Sequence, residues 1–306
     1  MRIRANWAPP PRPAALAIGN FDGVHRGHQG ILGRLLEAAA AADLCPAALS
    51  FEPHPLALLA PARTPARLID LRTKAALLAA AGIEQLNVMA FTRAFASLPA
   101  EEFVRLLRER LGMRALVAGE DFRFGQGRRG DADMLRTLAP ELGFELLVVK
   151  DVAAGPDRVA SKLVRAALQA NELDRAAELL GRRYCFGGRV GHGDRLGREL
   201  GFATANVFFN GSPPLRGIYA ATARLGDRSW AAALSVGVRP TVPGGRLAVE
   251  AHLLDYAGPD FYGELLQVEP RFFLRPEEKY AGLPELQEAI AADVARCREL
   301  LSAAAP

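Results

Sequence analysis

The stretch Ala14-Ala15-Leu16-Ala17-Ile18-Gly19-Asn20-Phe21-Asp22-Gly23-Val24-His25-Arg26-Gly27-His28 decides the fold. Its first five residues form a short apolar run, which reads as a buried strand. Glycines at 19, 23 and 27 break the run, and Gln29 to Ala42 continues in a helical pattern. A strand feeding a glycine-rich turn and then a helix opens a parallel α/β sheet, and in such sheets ligands bind beyond the carboxyl ends of the strands. The loop therefore lies where a ligand belongs. His25 and His28, three residues apart at the helix entrance, share one face near backbone N–H groups and the positive end of the helix dipole. Glycine lets backbone approach a phosphate closely. The segment offers many donors to a triphosphate and no obvious nucleophile. That suits adenylyl transfer, in which the attacking group is already an anionic phosphate. The protein then has to stabilise charge on the α-phosphate as pyrophosphate leaves.

Outward from this loop the pattern repeats. Ala47–Phe51, Leu86–Ala90, Ala115–Ala118 and Glu145–Val149 read as further strands, with helices over Leu71–Ala81 and Glu101–Leu111. Alternation of this kind predicts a Rossmann-like parallel sheet with helices on both faces. Arg158 to Gly181 reads as one helix, with Leu163, Ala167, Leu173, Ala177 and Leu180 at roughly helical spacing. The domain boundary is placed at its end, giving residues 1–181 and 182–306. From Tyr184 the texture changes to short β-rich runs separated by Gly and Pro: Tyr184–Val190, Ile218–Leu225, Trp230–Val236, Leu247–Leu254 and Leu265–Phe273. This predicts a compact antiparallel barrel or sandwich, of which a small β-barrel is the expectation adopted. Leu286, Ile290, Val294, Cys297 and Leu301 predict a C-terminal helix packed on it.

At 306 residues the chain exceeds what one hydrophobic core usually serves. Its formal charge of +4 is a mild excess that suits phosphate-bearing ligands. There is no basic tail or dense Lys/Arg face, and aromatics make up only 7%, so a nucleic-acid-binding regulator is disfavoured. Three distant cysteines, Cys45, Cys185 and Cys297, form neither a disulfide framework nor a zinc site. No apolar run is long enough to span a bilayer, and Met1 to Pro13 lacks the apolar core of a signal peptide. The expectation is a cytoplasmic enzyme acting on small molecules, with no nucleic-acid or membrane partner.

A second glycine-rich segment runs from Gly187 to Asn206. Gly191, Gly193, Gly197 and Gly201 predict a loop folding over phosphates. Thr204 and Asn206, two apart on an expected strand, would point to one side. A hydroxyl and an amide oxygen together suit Mg²⁺, which prefers few protein oxygens plus substrate phosphates. Further on, Glu250 alternates with apolar neighbours, an odd place for a charge unless it has a task.

Several segments, in order, carry a resemblance. They are Gly19 to His28, Phe51-Glu52-Pro53-His54-Pro55, Gly119-Glu120-Asp121-Phe122-Arg123-Phe124-Gly125, Gly187 to Asn206, Ser235-Val236-Gly237-Val238-Arg239-Pro240-Thr241 and Val249 to Asp255. Tyr262-Gly263 and Leu274 to Tyr280 complete the set. Together they resemble the bifunctional bacterial riboflavin kinase/FMN adenylyltransferase family, also called FAD synthetase. The resemblance implies that the first domain binds ATP through Gly19, Asn20, Phe21, Asp22, Gly27, Ser161 and Arg165. His25 and His28 would serve adenylyl transfer and Asp121 would meet FMN. In the second domain it implies ATP and Mg²⁺ on the Gly191–Asn206 segment. Glu250 would be the general base and Arg275 and Tyr262 would lie at the flavin. The chain departs from the family's usual pattern at Ala160 and Lys162, where hydroxyl residues are usual, at Ala203 for proline, and at Ser235 for asparagine. Two readings follow: a two-step enzyme making FMN from riboflavin and then FAD, or a riboflavin kinase with weakened adenylylation. His54 reads as structural, and Arg123, Arg128 and Arg129 read equally as a phosphate grip or a solvated loop.

Overall fold

The computed structural model describes residues 1–150, 153–154, 157–192, 202–238 and 247–303. It divides into two compact units, Met1–Pro65 with Lys74–Ala160, and Ala66–Thr73 with Ser161–Pro306.

Six strands form the sheet of the first unit: β1 (Arg2–Ala5), β2 (Ala14–Ile18), β3 (Cys45–Glu52), β4 (Gln85–Ala90), β5 (Met113–Gly119) and β6 (Glu145–Val149). All neighbours are parallel, in the order β1-β4-β3-β2-β5-β6. The chain winds one way from β2 through β3 to β4 and the other way from β5 to β6. The order therefore reverses between β2 and β5, which opens a crevice at their carboxyl ends. Every residue of β2 is buried. Ala14, Leu16 and Ile18 join Phe103, Val104 and Leu107 of α5 (Ala100–Arg110) and Leu135 and Leu138 of α6 (Ala132–Leu142) in one core. Helix α1 (Arg26–Ala41) packs on β2 and β5 and buries Leu32, Leu35 and Ala39. Short helices α2 (Pro55–Leu59) and α4 (Arg93–Ala96) and the longer α3 (Leu71–Ala80) fill the remaining connections.

Two of these elements lie outside the strands and helices read from the sequence. Strand β1 is only four residues long and exposed throughout, so its Arg-Ile-Arg-Ala alternation marks no buried face. Buried amides of β4 hold the chain beyond it: Gln85 Nε2 donates to the Ala8 carbonyl (3.0 Å), and Asn87 Nδ2 donates to Asn6 O (2.9 Å) and Ala8 O (2.8 Å). Helix α6 is set by its ends. Asp131 Oδ1 accepts from the Met134 N–H (3.0 Å), and Gly143 closes it at φ +65°.

The helix expected over Arg158 to Gly181 is two helices. Arg158 belongs to a short antiparallel pair, β7 (Ala153–Ala154) with β8 (Asp157–Arg158). Then come α7 (Ser161–Gln169) and α8 (Leu173–Leu180), broken at Asn171, which is left-handed at φ +60°. Asparagine tolerates that conformation better than most residues. Here its side chain is also held: the Tyr219 hydroxyl lies 2.5 Å from Asn171 Oδ1 and 2.7 Å from the Arg216 carbonyl. Burial pushes the Tyr219 phenol up to about 12.

In the second unit β9 (Phe186–Gly191), β10 (Ala205–Phe208), β11 (Gly217–Leu225), β12 (Arg228–Val238), β13 (Leu247–Leu253) and β14 (Leu265–Arg275) close into an antiparallel barrel, ordered β10-β13-β12-β11-β14-β9. Strands alternate inward apolar and outward residues, as Val249, Ala251 and Leu253 do on β13. Helix α9 (Leu283–Ala303) lays Val294 and Cys297 on Ala220 and Leu254 of the barrel. The segment Ala66–Thr73 is fastened to this unit: the Tyr184 hydroxyl donates to Leu68 O (2.8 Å), Arg165 Nε to Ala66 O (2.6 Å) and Arg67 N to Ser212 O (3.0 Å).

Tyr219→Phe is expected to remove a hydrogen bond from the half-buried Asn171 carboxamide and to destabilise the second unit by about 1 kcal/mol, read from its urea unfolding midpoint. An unchanged midpoint would remove this hydroxyl from the account of the helix break.

Candidate functional site

The loop after β2 is shaped by backbone strain. Phe21 (φ +47°), Gly23 (φ +87°) and Val24 (φ +43°) are all left-handed. For a β-branched valine that conformation is costly and persists only where the surroundings over-determine it. Those surroundings are visible. Phe21 is 1% exposed, its ring meeting His28 edge-on at 5.2 Å, and Gln29 Nε2 donates to Val24 O at 2.9 Å. His25 caps α1: its Nδ1 accepts from the His28 N–H at 3.3 Å. In the neutral ring the proton is then on Nε2, making that nitrogen a donor. The two imidazoles stack with centroids 3.7 Å apart and planes at 18°. Gly27 is required by space, since a Cβ there would lie 2.9 Å from the Val159 carbonyl oxygen and 3.1 Å from the His25 ring.

Other parts of the same crevice come from neighbouring strand ends. At the end of β3, His54 Nδ1 accepts from the Leu56 N–H (3.2 Å) and caps α2, while its Nε2 lies 3.3 Å from the Asn20 carboxamide. A ring that accepts at Nδ1 carries its proton on Nε2, so the complementary partner is the carboxamide oxygen of Asn20. His54 is thus tied to the loop as well as to its own helix. At the end of β5, Gly119 O accepts from Phe122 N (3.1 Å) in a tight turn, and Asp121 pairs with Arg158 at 2.7 Å. Arg123 pairs with Asp131, the cap of α6, at 2.7 Å, so it is engaged within its own loop. A cavity of about 340 Å³ nearby in the sequence of this unit is walled by Leu58, Leu59 and Arg93. Ser161 and Arg165 lie on α7, in the second unit, where Arg165 is bonded to Ala66 O.

In the barrel the strand register makes one cross-strand row. Gly191 pairs with Asn206, Asn206 with Glu250, Glu250 with Ser235, Ser235 with Ile218 and Ile218 with Arg275. Side chains directly opposite in antiparallel strands have Cβ atoms about 4.5–5.5 Å apart. Glu250 is half-buried and stands between a carboxamide and a hydroxyl. Strand β10 begins at Ala205, so Thr204 precedes it, and the alternation argument that paired Thr204 with Asn206 does not apply. Thr204 lies on the wall of a cavity of about 290 Å³ with His252, Tyr256 and Tyr262, whereas Asn206 lines one of about 760 Å³ with His192 and Phe208.

His252 was not anticipated, although it follows Glu250 by two residues on the same strand face. Its Nδ1 lies 2.9 Å from the Ala203 carbonyl, an atom that can only accept, so Nδ1 carries the proton. Strand β13 thereby places Glu250 directly and fixes the residue before Thr204 through His252. The Tyr262 ring lies against His192, centroids 4.0 Å apart and planes tilted by 32°. Gly191 has a packing reason: a Cβ there would lie 2.2 Å from the Phe208 ring. Gly193, Gly197, Gly201 and the Arg239–Thr241 part of the Ser235 segment lie outside the described residues. Arg275 is engaged with α9, its Nε donating to Asp293 Oδ1 (3.0 Å) and Nη2 to Oδ2 (2.6 Å). The Asp293 hydrogen bond raises its pKa above the ordinary arginine value.

A family model described as FAD synthetase matches residues 8–163, and one described as riboflavin kinase matches residues 180–301. A bifunctional riboflavin kinase/FMN adenylyltransferase of Escherichia coli (strain K12) is 41% identical, over 97% of this chain and 96% of its own. One from Pseudomonas fluorescens is 42% identical, over 98% and 97%. A solved structure described as a macrolide-efflux protein from Streptococcus pneumoniae shares the fold with a TM-score of 0.81 at 25% identity, covering 97% of this chain and 99% of that one. No helix among the described residues is long and apolar enough to cross a membrane.

Asp293→Asn weakens a two-pronged ion pair whose carboxylate is 11% exposed. It is expected to destabilise the second unit by about 1–3 kcal/mol in chemical unfolding, and Arg275→Lys is expected not to substitute for the planar fork. A Lys variant of parental stability would show that the pair acts as a simple point-charge contact.

Proposed function

The chain belongs to the bifunctional riboflavin kinase/FMN adenylyltransferase family, and we propose how its two units divide that chemistry. It carries both an FAD synthetase and a riboflavin kinase domain and is an ATP-using enzyme of flavin cofactor synthesis. The motifs assign adenylylation to residues 1–181 and the kinase to 182–306. In packing, α7 and α8 go with the barrel.

In the kinase step Glu250 takes the proton of the ribityl 5′-hydroxyl as that oxygen attacks the γ-phosphate of ATP, and ADP leaves. The observation that carries this reading is the register of Asn206, Glu250 and Ser235, which stands one carboxylate between two neutral polar groups on the half-buried face of the barrel. The side-chain oxygens of Thr204 and of Asn206, the residue opposite Glu250, are the kind that Mg²⁺ takes; those two residues would hold the ion and it would neutralise phosphate charge. On this reading Gly191 serves the phosphates, and Tyr262 and Arg275 form the flavin side.

In the adenylylation step an FMN phosphate oxygen attacks the α-phosphate of ATP and pyrophosphate leaves. No base is needed. The backbone N–H groups at the start of α1, the Nε2–H of His25 and the neighbouring His28 stabilise the developing charge. Gly19, Asn20, Phe21, Asp22 and Gly27 shape the loop that receives ATP, Ser161 and Arg165 serve its phosphates, and Asp121 serves FMN. Ala160 and Lys162 supply no hydroxyl, so this step is the slower one. We place the enzyme in the cytoplasm, where its three free cysteines would stay reduced.

Purified protein given riboflavin, Mg²⁺ and ATP is expected to form FMN first and FAD after it. FMN that accumulates with no FAD on long incubation would leave the kinase alone. Glu250→Gln is expected to lower FMN formation by about a hundredfold or more while FMN-to-FAD conversion continues. Kinase activity that survives the substitution would rule out Glu250 as the base.

A further inference from the structure

The buried polar side chains of the described residues are few: Asp22, His25, Ser50, Lys74, Gln85 and Asn87. Gln85 and Asn87 are accounted for by the N-terminal strand, and Asp22 and His25 by the loop. Ser50 and Lys74 belong to no step described above. Lys74 is 4% exposed, the one Lys or Arg in that buried set, and Ser50 is 0% exposed. Burying an ammonium is costly, and an apolar residue of similar size is often the more stable choice. Its retention inside the sheet layer therefore calls for a role.

The contacts show where that charge is directed. On β3, Cys45 to Leu49 are buried and, but for Pro46, apolar in the plain sense of strand core, and Ser50 is the first side chain to break the pattern, at the carboxyl end of the strand. Lys74 Nζ, reaching from α3, donates to Ser50 Oγ at 3.0 Å. The Ser50 hydroxyl in turn donates to the Asn20 carbonyl at 3.2 Å. The same ammonium stands 3.8 Å from Glu52, the residue that leads into Pro53 and His54. One buried cation thus ties two strand-end segments: the loop containing Asn20, and the corner that carries His54, which itself meets Asn20 at 3.3 Å. It lies beneath a loop whose ligand, on the reading above, is anionic.

We propose that Lys74 is a positioning residue for adenylyl transfer, which sets the Gly19–Asp22 loop through Ser50 and the Glu52–His54 corner through the carboxylate, and so fixes the seat of the ATP polyphosphate. This rests on the assignment of that loop to ATP. Without the ammonium, Ser50 loses the donor that orients its hydroxyl, and Glu52 becomes a part-buried carboxylate without its nearby cation. The loop then keeps its sequence and loses its registration against β3. The effect falls on ATP and leaves FMN and the barrel chemistry alone.

The test uses the full chain, with riboflavin phosphorylation in the same molecule as the control for a folded second unit. Lys74→Met is expected to raise the KM for ATP in FMN adenylylation about tenfold or more, with the KM for FMN and the kinase rate within roughly twofold of the parent. Lys74→Arg, which retains the charge and donors, recovers most of the loss. Ser50→Ala, a gentler change, raises the KM for ATP about threefold and decides the matter if Lys74→Met does not fold. A partly unfolded sample lowers apparent kcat and moves neither KM, so it is distinguishable. A KM for ATP unchanged in both Lys74→Met and Ser50→Ala, or KM values for ATP and FMN that rise together, overturns the proposal. A parent protein that binds ATP only in the barrel and forms no FAD overturns the assignment of the loop, and with it this role.

Discussion

Every backbone N–H and C=O inside this protein has to be paired, and that requirement decides where its polar side chains can stand. A closed barrel meets it by leaving no edge, which also fixes the register, because a slip of one residue would turn every outward side chain inward. Asn206, Glu250 and Ser235 are neighbours for that reason alone. They are far apart in sequence and no local propensity brings them together. The same constraint explains the alanines lining the barrel at 221, 223, 232 and 251: a barrel this narrow fills with small side chains.

The parallel sheet solves the problem differently. Its central strands β2, β3 and β5 are buried on both faces, so polar groups gather at their carboxyl ends, where pairing stops and loops begin. The groups found there are coupled. His25 caps α1 and stacks on His28, His54 caps α2 and meets Asn20, and Lys74 reaches Ser50 and Glu52. Left-handed Phe21 and Val24 store strain that these contacts hold in place. A rigid loop of this kind presents its donors already oriented, which is what charge stabilisation in a transition state demands.

Much of this was legible in the order of residues. Strands β2 to β6 and the barrel runs announce themselves by apolar pattern, and the Gly19–His28 turn by its glycines and histidines. What stayed hidden was too short to read or depended on partners distant along the chain. Strand β1 is exposed along its length, and its place depends on amides of β4 some eighty residues away. The break at Asn171 is invisible to helical spacing, because α7 and α8 bury Val164, Leu168, Leu179 and Leu180 at intervals that one helix could also produce. His252 and Lys74 looked ordinary because their importance lies in partners distant along the chain. Arg275 likewise has a partner that its motif does not announce, the Asp293 carboxylate of α9.

The segment Ala66–Thr73 has a consequence for how this chain is made. It is synthesised in the middle of the first unit, yet its partners Tyr184, Arg165 and Ser212 emerge much later. The two packing units are therefore interleaved along the chain, although the two family matches follow one another. On the ribosome Ala66 precedes its partner Arg165 by 99 residues, and Leu68 precedes Tyr184 by 116. A clean excision of the barrel at residue 182 would also leave behind Asn171, the partner of the Tyr219 hydroxyl. Fusion here is a matter of shared parts, so neither half is a cassette that recombination could lift out whole.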